Sequence, residues 1–122
     1  MKNNYLNFEQ AKKIQEKGFD DFCQYWYSNE GNLYHENEFN NSRGSVPTYK
    51  CYAPEQHTAI DWLFENYEIW IECFVDDNKT FGYLITIFSD EGRHDYPVKR
   101  NFSNKQEAYS NAFDFIFDNN LI

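Results

Sequence analysis

Several features that identify common protein classes are missing from this sequence of 122 residues. Its three cysteines, Cys23, Cys51 and Cys73, lie far apart and form no CxxC pair. This spacing argues against a disulfide framework or a thiolate zinc site and favours small, reduced side chains. No apolar run approaches the ~20 residues of a membrane span, and the opening residues lack the apolar stretch of a secretory signal. We therefore expect a cytoplasmic protein with no membrane partner.

Catalytic and cofactor-binding motifs are missing as well. The sequence contains no GxSxG motif and no glycine-rich phosphate loop, and its glycines stand singly. His35, His57 and His94 lack the short paired spacings of zinc ligands. We expect no enzyme activity, no metal and no cofactor. A small enzyme whose catalytic residues meet only in the folded chain stays open as an alternative.

Aromatic rings and acidic side chains are abundant by contrast. The chain contains 12 Phe, 10 Tyr and 3 Trp, and its formal net charge is −9. Residues 20–38 and 55–77 contain no Lys or Arg. A phosphate backbone would meet a repulsive field over much of such a surface, so we do not expect direct binding to nucleic acid.

The first part of the chain predicts a helix followed by a hairpin. Asn7 and Gln10 match a capping box, and Gly18 is a natural helix stop. The aromatic-rich residues 19–27 predict a strand, and residues 33–35 predict its short antiparallel partner.

The middle of the chain predicts a loop, a second helix and a second hairpin. Residues 36–50 are rich in Asn and Ser and predict an exposed loop. Pro54 suits the first turn of the helix that follows. The segments EIWIECFVD and TFGYLITIF, joined by a polar turn, predict a β-hairpin.

The last part predicts one edge strand and a helix. Tyr96, Val98 and Arg100 indicate the strand, and Ser103 with Gln106 matches a capping box for the helix. The predicted order is helix, two strands, helix, two strands, an optional strand, helix. Because the strands come in adjacent pairs, we expect a single α+β domain, a two-layer fold in which helices pack on one face of an antiparallel sheet.

Alternation along the second hairpin gathers acids and rings on the face opposite the core. This candidate face consists of Glu68, Trp70, Glu72, Phe74 and Asp76, with Trp26 and Phe88 as candidate neighbours. In one interpretation the first hairpin or a loop covers the rings, and the acids form a rim. In the other, the face is an exposed protein-binding surface for a second copy of the chain or for a basic protein.

Two stretches carry a resemblance to known sequences. Residues 4–19 read NYLNFEQAKKIQEKGF, and residues 52–71 read YAPEQHTAIDWLFENYEIWI. In these stretches and their order the chain resembles a family of small uncharacterised proteins encoded by phages and mobile elements of Bacteroidetes. That family has no assigned activity. The resemblance therefore implies a setting, that of an accessory protein acting in a host cytoplasm.

These observations lead to three functional hypotheses. The first is a non-enzymatic protein-binding module whose partner is a host protein or a second copy in a homodimer. The second is an acidic mimic of nucleic acid that inhibits a host DNA- or RNA-binding defence protein. That role requires the carboxylates of residues 19–42 and 51–78 to share one face. The third is the small enzyme, which requires a concave pocket with a histidine or a carboxylate pair.

Overall fold

A computed structural model describes residues 4–36 and 51–122. The elements in these ranges, in chain order, are α1 (Phe8–Glu16), β1 (Tyr25–Tyr27), β2 (Leu33–His35), β3 (Cys51–Tyr52), α2 (Gln56–Tyr67), β4 (Ile69–Val75), β5 (Phe81–Ser89), β6 (Gly92–Asp95), β7 (Lys99–Phe102) and α3 (Lys105–Asp118). The predicted α+β class is confirmed, and the order of elements roughly matches the prediction. The loop predicted at 36–50 lies outside the described residues except for Glu36.

The described strands form two antiparallel sheets. The smaller sheet has the order β2-β1-β3, and the larger sheet has β5 at its centre. β4 pairs along one side of β5, whereas β6 and β7 pair with opposite halves of the other side. The single edge strand predicted around Val98 is therefore two short strands. Pro97, which has no backbone N–H to donate, lies in the gap between them.

α1 has the termini that the sequence predicts. The Asn7 side chain accepts a hydrogen bond from the Gln10 N–H at 2.8 Å, and the Gln10 side chain accepts one from the Asn7 N–H at 3.1 Å, which confirms the capping box. After the helix Gly18 has φ +110°, and the Phe19 N–H donates to the Ile14 carbonyl at 3.2 Å. This left-handed stop turns the chain so that the Phe19 side chain is buried.

The strand predicted at 19–27 is wrong over its first six residues. Only Tyr25–Tyr27 form β1, and Phe22 is 67% exposed. β1 pairs with three residues of β2 and two residues of β3. A strand is only as long as the partners that satisfy its backbone groups, so the preceding aromatics stay outside the sheet.

The second hairpin is confirmed, including its register. Ile69 pairs with Ile87, Ile71 with Ile85, and Val75 with Phe81. These pairs belong to one face of β4 and β5, the inner face, which packs against α3. Burial is complete at Ile71, whereas Val75 at the far end of the strand is 59% exposed.

The N-cap of α3 is Asn104, one residue later than the predicted cap at Ser103. The Asn104 side chain, not that of Ser103, accepts a hydrogen bond from the Glu107 N–H at 2.8 Å. The Glu107 carboxylate in turn accepts from the Ser103 N–H at 2.7 Å. Asn and Ser are comparable N-caps, and the charged acceptor at Glu107 suits the helix N-terminus better than the amide of Gln106.

A buried glutamine joins the first helix to the last. The Gln10 amide nitrogen lies 3.0 Å from the Ser110 carbonyl oxygen and 2.9 Å from Asp114 Oδ1, while its oxygen serves the cap of α1. Gln10 is 2% exposed. The buried amide of Gln10 therefore satisfies polar groups on two helices, although Asp114 itself is exposed.

Replacing Gln10 with Met keeps the side-chain length but removes the amide. The partners on α3 and the Asn7 N–H then lose their hydrogen bonds, so the free energy of unfolding should fall by about 1–3 kcal/mol. Urea-induced unfolding measures the change. The exposed Gln24→Met is the control and should change stability by less than about 0.5 kcal/mol. Equal stability of Gln10→Met and the parent chain would contradict this role.

Candidate functional site

The larger sheet has a second, accessible face, which we call the outer face. It carries Trp70, Glu72 and Phe74 from β4, and Gly82, Leu84, Thr86 and Phe88 from β5. Trp70 and Phe88 are each 37% exposed, and Glu72 is exposed. The alternation predicted for the hairpin is thus confirmed, and this part of the candidate face is open to solvent.

Three rings meet on the outer face, and we call Phe64, Trp70 and Phe88 the ring cluster. The Phe64 centroid lies 5.7 Å from that of Trp70 and 5.9 Å from that of Phe88, and both pairs pack edge to face. Phe64 itself is 44% exposed. Edge-to-face packing holds the rings in position and leaves part of each ring free for another molecule.

Sequence reasoning missed Phe64 as a member of this site. Phe64 lies beside the apolar stripe of α2 that contains Ile60 and Leu63, so helical periodicity assigns it to neither the core nor the sheet. The signal available was its position three residues before the helix ends, because a tight turn into β4 brings such a side chain back over the strand.

Glu68 makes that tight turn and does not belong to β4. It caps α2 with left-handed backbone angles, φ 58° and ψ 35°, and Ile69 begins the strand directly after it. Its carbonyl accepts a hydrogen bond from the Phe88 N–H at 2.9 Å. Glu68 therefore ties the end of β5 to the end of α2, and its side chain is exposed.

Phe74 belongs to a second, more closed cluster on the outer face. Its ring covers Gly82, where an added Cβ would lie 2.6 Å from Phe74 Cζ and 2.4 Å from the Lys99 carbonyl oxygen. The Arg100 guanidinium carbon lies 5.2 Å from the ring centroid. The ring is thus held between a glycine and a cation and presents less free surface than the ring cluster.

Asp76 holds the hairpin turn rather than presenting a carboxylate to a partner. Its oxygens accept from the Thr80 hydroxyl at 2.8 and 2.9 Å and from the Asn78 N–H at 3.1 Å. These hydrogen bonds to the charged form hold the pKa of Asp76 below its ordinary value, with the Thr80 hydroxyl as the largest cause. Among the residues of the candidate face, Asp76 therefore has a structural role.

A polar network borders the ring cluster on the β6 side. Asp95 accepts from the Thr86 hydroxyl at 2.7 Å and from Arg93 Nε and Nη2 at 3.1 and 3.2 Å. The Thr86 bond and then the Arg93 bonds hold the pKa of Asp95 below its ordinary value. Since Arg93 pairs with Phe88 in the register, the cluster has a charged border here.

Trp26 lies apart from this face, which corrects the prediction that it is a neighbour of the candidate face. It is a β1 residue of the smaller sheet, its exposure is 0%, and its ring packs 5.0 Å from that of Tyr34. The first hairpin forms its own sheet with β3 and does not pair with β4. The alternation of residues along a strand predicts which side chains share a face. It does not predict which sheet the strand joins, so the sequence could not show that Trp26 belongs to a separate sheet.

Carboxylates lie near both ends of α2. Burial, then the charge of Asp21 and more weakly that of Glu55, raise the pKa of the Cys23 thiol to about 11, so both carboxylates lie near Cys23. Glu65 and Glu68 lie toward the other end of the helix, about 15 and 20 Å from Glu55 along the helix axis at 1.5 Å per residue. The single acidic face that a nucleic-acid mimic requires thus receives less support than the ring cluster.

Polar cavities lie beside the N-termini of α2 and α3. One, of about 380 Å³, is lined by Glu55, His57, Lys105 and Tyr109, among others. Glu55 pairs with the His57 ring, whose other nitrogen lies 3.4 Å from the Thr58 hydroxyl. The largely exposed His57 keeps this arrangement in water, without the sheltered surroundings that activate a nucleophile. In the described parts of the chain no three His, Cys, Asp or Glu side chains form a metal-binding group.

Comparisons with known proteins give no further guide. No family model, curated protein or solved structure matches the chain. Among residues 4–36 and 51–122, none of the helices has the length and apolar character needed to cross a membrane.

The left-handed cap at Glu68 generates a stability prediction. A side chain with a Cβ is strained at φ 58°, and glycine is not, so Glu68→Gly should raise the free energy of unfolding by about 0.5–1 kcal/mol. Chemical denaturation measures the gain. Glu68→Ala removes the same carboxylate but keeps the Cβ, and it should give no gain. A stabilisation of equal size in both variants would contradict the backbone explanation.

The turn carboxylate generates a pH prediction. Because the folded pKa of Asp76 is depressed, its contribution to stability is complete above the unfolded pKa, near 3.8, and disappears as the pH falls through the folded value. Asp76→Asn should therefore be less stable than the parent chain at pH 7, and the two should converge in strong acid. Thermal unfolding at a series of pH values measures this. Asp77→Asn, at an exposed neighbour, serves as control, and a gap that persists unchanged at low pH would refute the assignment.

Proposed function

We propose that this protein is a non-enzymatic protein-binding module whose contact surface is the ring cluster on the outer face. The observation that carries the proposal is that Phe64, Trp70 and Phe88 pack against each other while each stays more than a third exposed. Aromatic side chains held rigidly in water are enriched at interfaces, because they bury large areas with little loss of conformational freedom.

The charges around the cluster indicate the chemistry of its partner. Glu65, Glu68 and Glu72 are exposed on α2, its cap and β4, and residues 55–77 contain no cation. Arg93 on the opposite border is already paired with Asp95. A segment that places an apolar or aromatic side chain on the rings and Lys or Arg beside the three carboxylates would complement both features.

The setting of the binding follows from the sequence resemblance. As a phage or mobile-element accessory protein, the chain would meet its partner in the host cytoplasm, and the partner would be a host protein. An acidic module suits a basic partner, since charge complementarity speeds encounter and disfavours other acidic surfaces.

Selection from a random peptide library, with the folded chain as bait, tests this proposal. We expect enriched peptides to share an aromatic or aliphatic residue flanked by Lys or Arg. Trp70→Ala and Phe88→Ala should each weaken binding of the selected peptides by about tenfold or more, as central aromatic contacts do. Fluorescence anisotropy of labelled peptides gives the dissociation constants.

The matched control is Phe22→Ala. Phe22 is 67% exposed and packs against Tyr52, away from the outer face. It should leave peptide affinity unchanged, which separates the ring cluster from exposed aromatic surface in general. The proposal fails if selection yields no shared pattern, or if the selected peptides bind Trp70→Ala and Phe88→Ala as tightly as the parent chain.

A further inference from the structure

β4 is an edge strand whose outward backbone groups can be identified. The Phe88 N–H donates to the Glu68 carbonyl and the Asp76 N–H to the Thr80 carbonyl, each at 2.9 Å, at the two ends of the β4–β5 ladder. Hydrogen-bonded pairs alternate in an antiparallel ladder, so the even-numbered residues of β4 bond to β5. The odd-numbered residues Ile71, Cys73 and Val75 therefore direct their N–H and C=O groups away from β5. Among the described residues, none pairs with them.

The two edges of this sheet differ in how they are protected. β6 and β7 are each only four residues long, and Pro97 lies between them. They carry the cations Arg93, Lys99 and Arg100. The pairing of β5 with β7 also contains a register shift. Short strands, cations, proline and irregular pairing are the usual devices against edge-to-edge association. β4 has seven regular residues, IWIECFV, with no Lys, Arg or Pro. The β6–β7 edge of the sheet is thus protected against pairing with another strand, whereas the β4 edge is not.

We propose that β4 pairs antiparallel with β4 of a second copy of this chain, around a two-fold axis at Cys73. In this register Ile71 faces Val75 of the second copy, and Cys73 faces its own equivalent. The three pairs exchange about six backbone hydrogen bonds. Val75, an inner-face side chain that is 59% exposed, gains an apolar neighbour.

The side chains of β4 select this register and this occupant. On the outer face it places Glu72 beside Phe74 of the second copy, and Trp70 beside Asp76. An axis at Glu72 would instead set two glutamates directly opposite each other, which is destabilising. An axis at Ile71 would leave Val75 unpaired. The strand is therefore complementary to its own reverse, which favours a second copy over an unrelated strand.

Net charge gives the dimer a distinctive salt dependence. Each copy carries −9, so the two repel each other, while β4 itself contributes only Glu72 to the contact. Salt screens long-range repulsion and leaves backbone hydrogen bonds in place. Added NaCl should strengthen this association, whereas an association held by opposite charges would weaken.

Sedimentation equilibrium of the full chain at several concentrations tests the proposal. The parent chain should show a monomer–dimer equilibrium. Val75→Pro removes an outward N–H without removing a bond to β5, and it should raise the dimer dissociation constant by at least about tenfold. Val75→Thr keeps the N–H and the branched Cβ, and should leave the dissociation constant within about threefold of the parent value.

Circular dichroism checks that each variant is folded. If Val75→Pro unfolds, Val75→Lys, which adds a cation to the edge strand, replaces it.

A cross-link tests the axis itself. With Cys23→Ser and Cys51→Ala, Cys73 is the remaining thiol, and pairing across the axis puts its two copies within disulfide range. Diamide accepts the two protons and two electrons released, at mildly alkaline pH because burial raises the pKa of the Cys73 thiol. A covalent dimer that Val75→Pro prevents supports the proposal.

Three results would overturn the proposal: a parent chain that stays monomeric, a dimer that persists unchanged in Val75→Pro, or a dimer in which Cys73 does not cross-link. Phe88→Ala distinguishes the dimer from the proposed peptide binding. Phe88 is a β5 residue of the ring cluster and takes no part in the β4 contact, so this variant should weaken peptide binding and leave the dimer intact. Each of the two proposals can thus fail without the other.

Discussion

The register between β4 and β5 is the constraint on which the rest of this structure depends. Side chains alternate between the faces of a strand, so a slip of one residue would exchange the isoleucines of the core with the acids and rings of the outer face. The Asp76–Thr80 turn fixes one end of the ladder, and the contact between Glu68 and Phe88 fixes the other. These two ends together determine which side chains enter the core, which lie on the outer face and which backbone groups of β4 stay free of β5.

Local patterns in the sequence predicted this hairpin correctly because a hairpin is a local structure. Its two strands are adjacent in the chain, each carries the period-two pattern, and the polar turn between them determines how they pair. The capping box of α1 was predictable for the same reason, since Asn7 and Gln10 are three residues apart. Where the interacting residues are close in sequence, the sequence alone was enough to predict the structure.

Errors arose where the outcome depended on distant partners or on backbone angles. Trp26 was assigned to the wrong environment because nothing in its own strand shows that β3 forms a separate sheet with it. Glu68 was counted as a strand residue because glutamate does not signal a left-handed cap. Phe64 was missed because that cap, invisible in the sequence, brings it to the sheet. Trp70, Glu72 and Phe88 of the candidate face are open to solvent, which corresponds to one of the two interpretations that the sequence left open.

The proposed dimer would change what the ring cluster can recognise. Trp70 lies three residues from Cys73, so in the antiparallel register the two copies of Trp70 would lie about 20 Å apart on one continuous face. A partner presenting two suitable segments at that spacing would bind both, and its apparent affinity would exceed that of either contact alone. In such a dimer, the fixed distance between the two copies of Trp70 would favour partners that are dimeric or that contain repeated segments.

The hydrogen bonds of Gln10 also bear on how the chain is made. Its partners on α3 lie 100 and 104 positions further along. At roughly 5–20 residues per second, ribosomal synthesis of the intervening segment takes about 5–20 s. Throughout that interval α1 has its own cap, but the Gln10 amide nitrogen lacks its acceptors on α3, and a nine-residue helix is marginal in isolation. The hydrogen bonds that join α1 to α3 therefore form only after nearly the whole chain has been synthesised, whereas the contacts of α1 with β3 need only the first half of the chain.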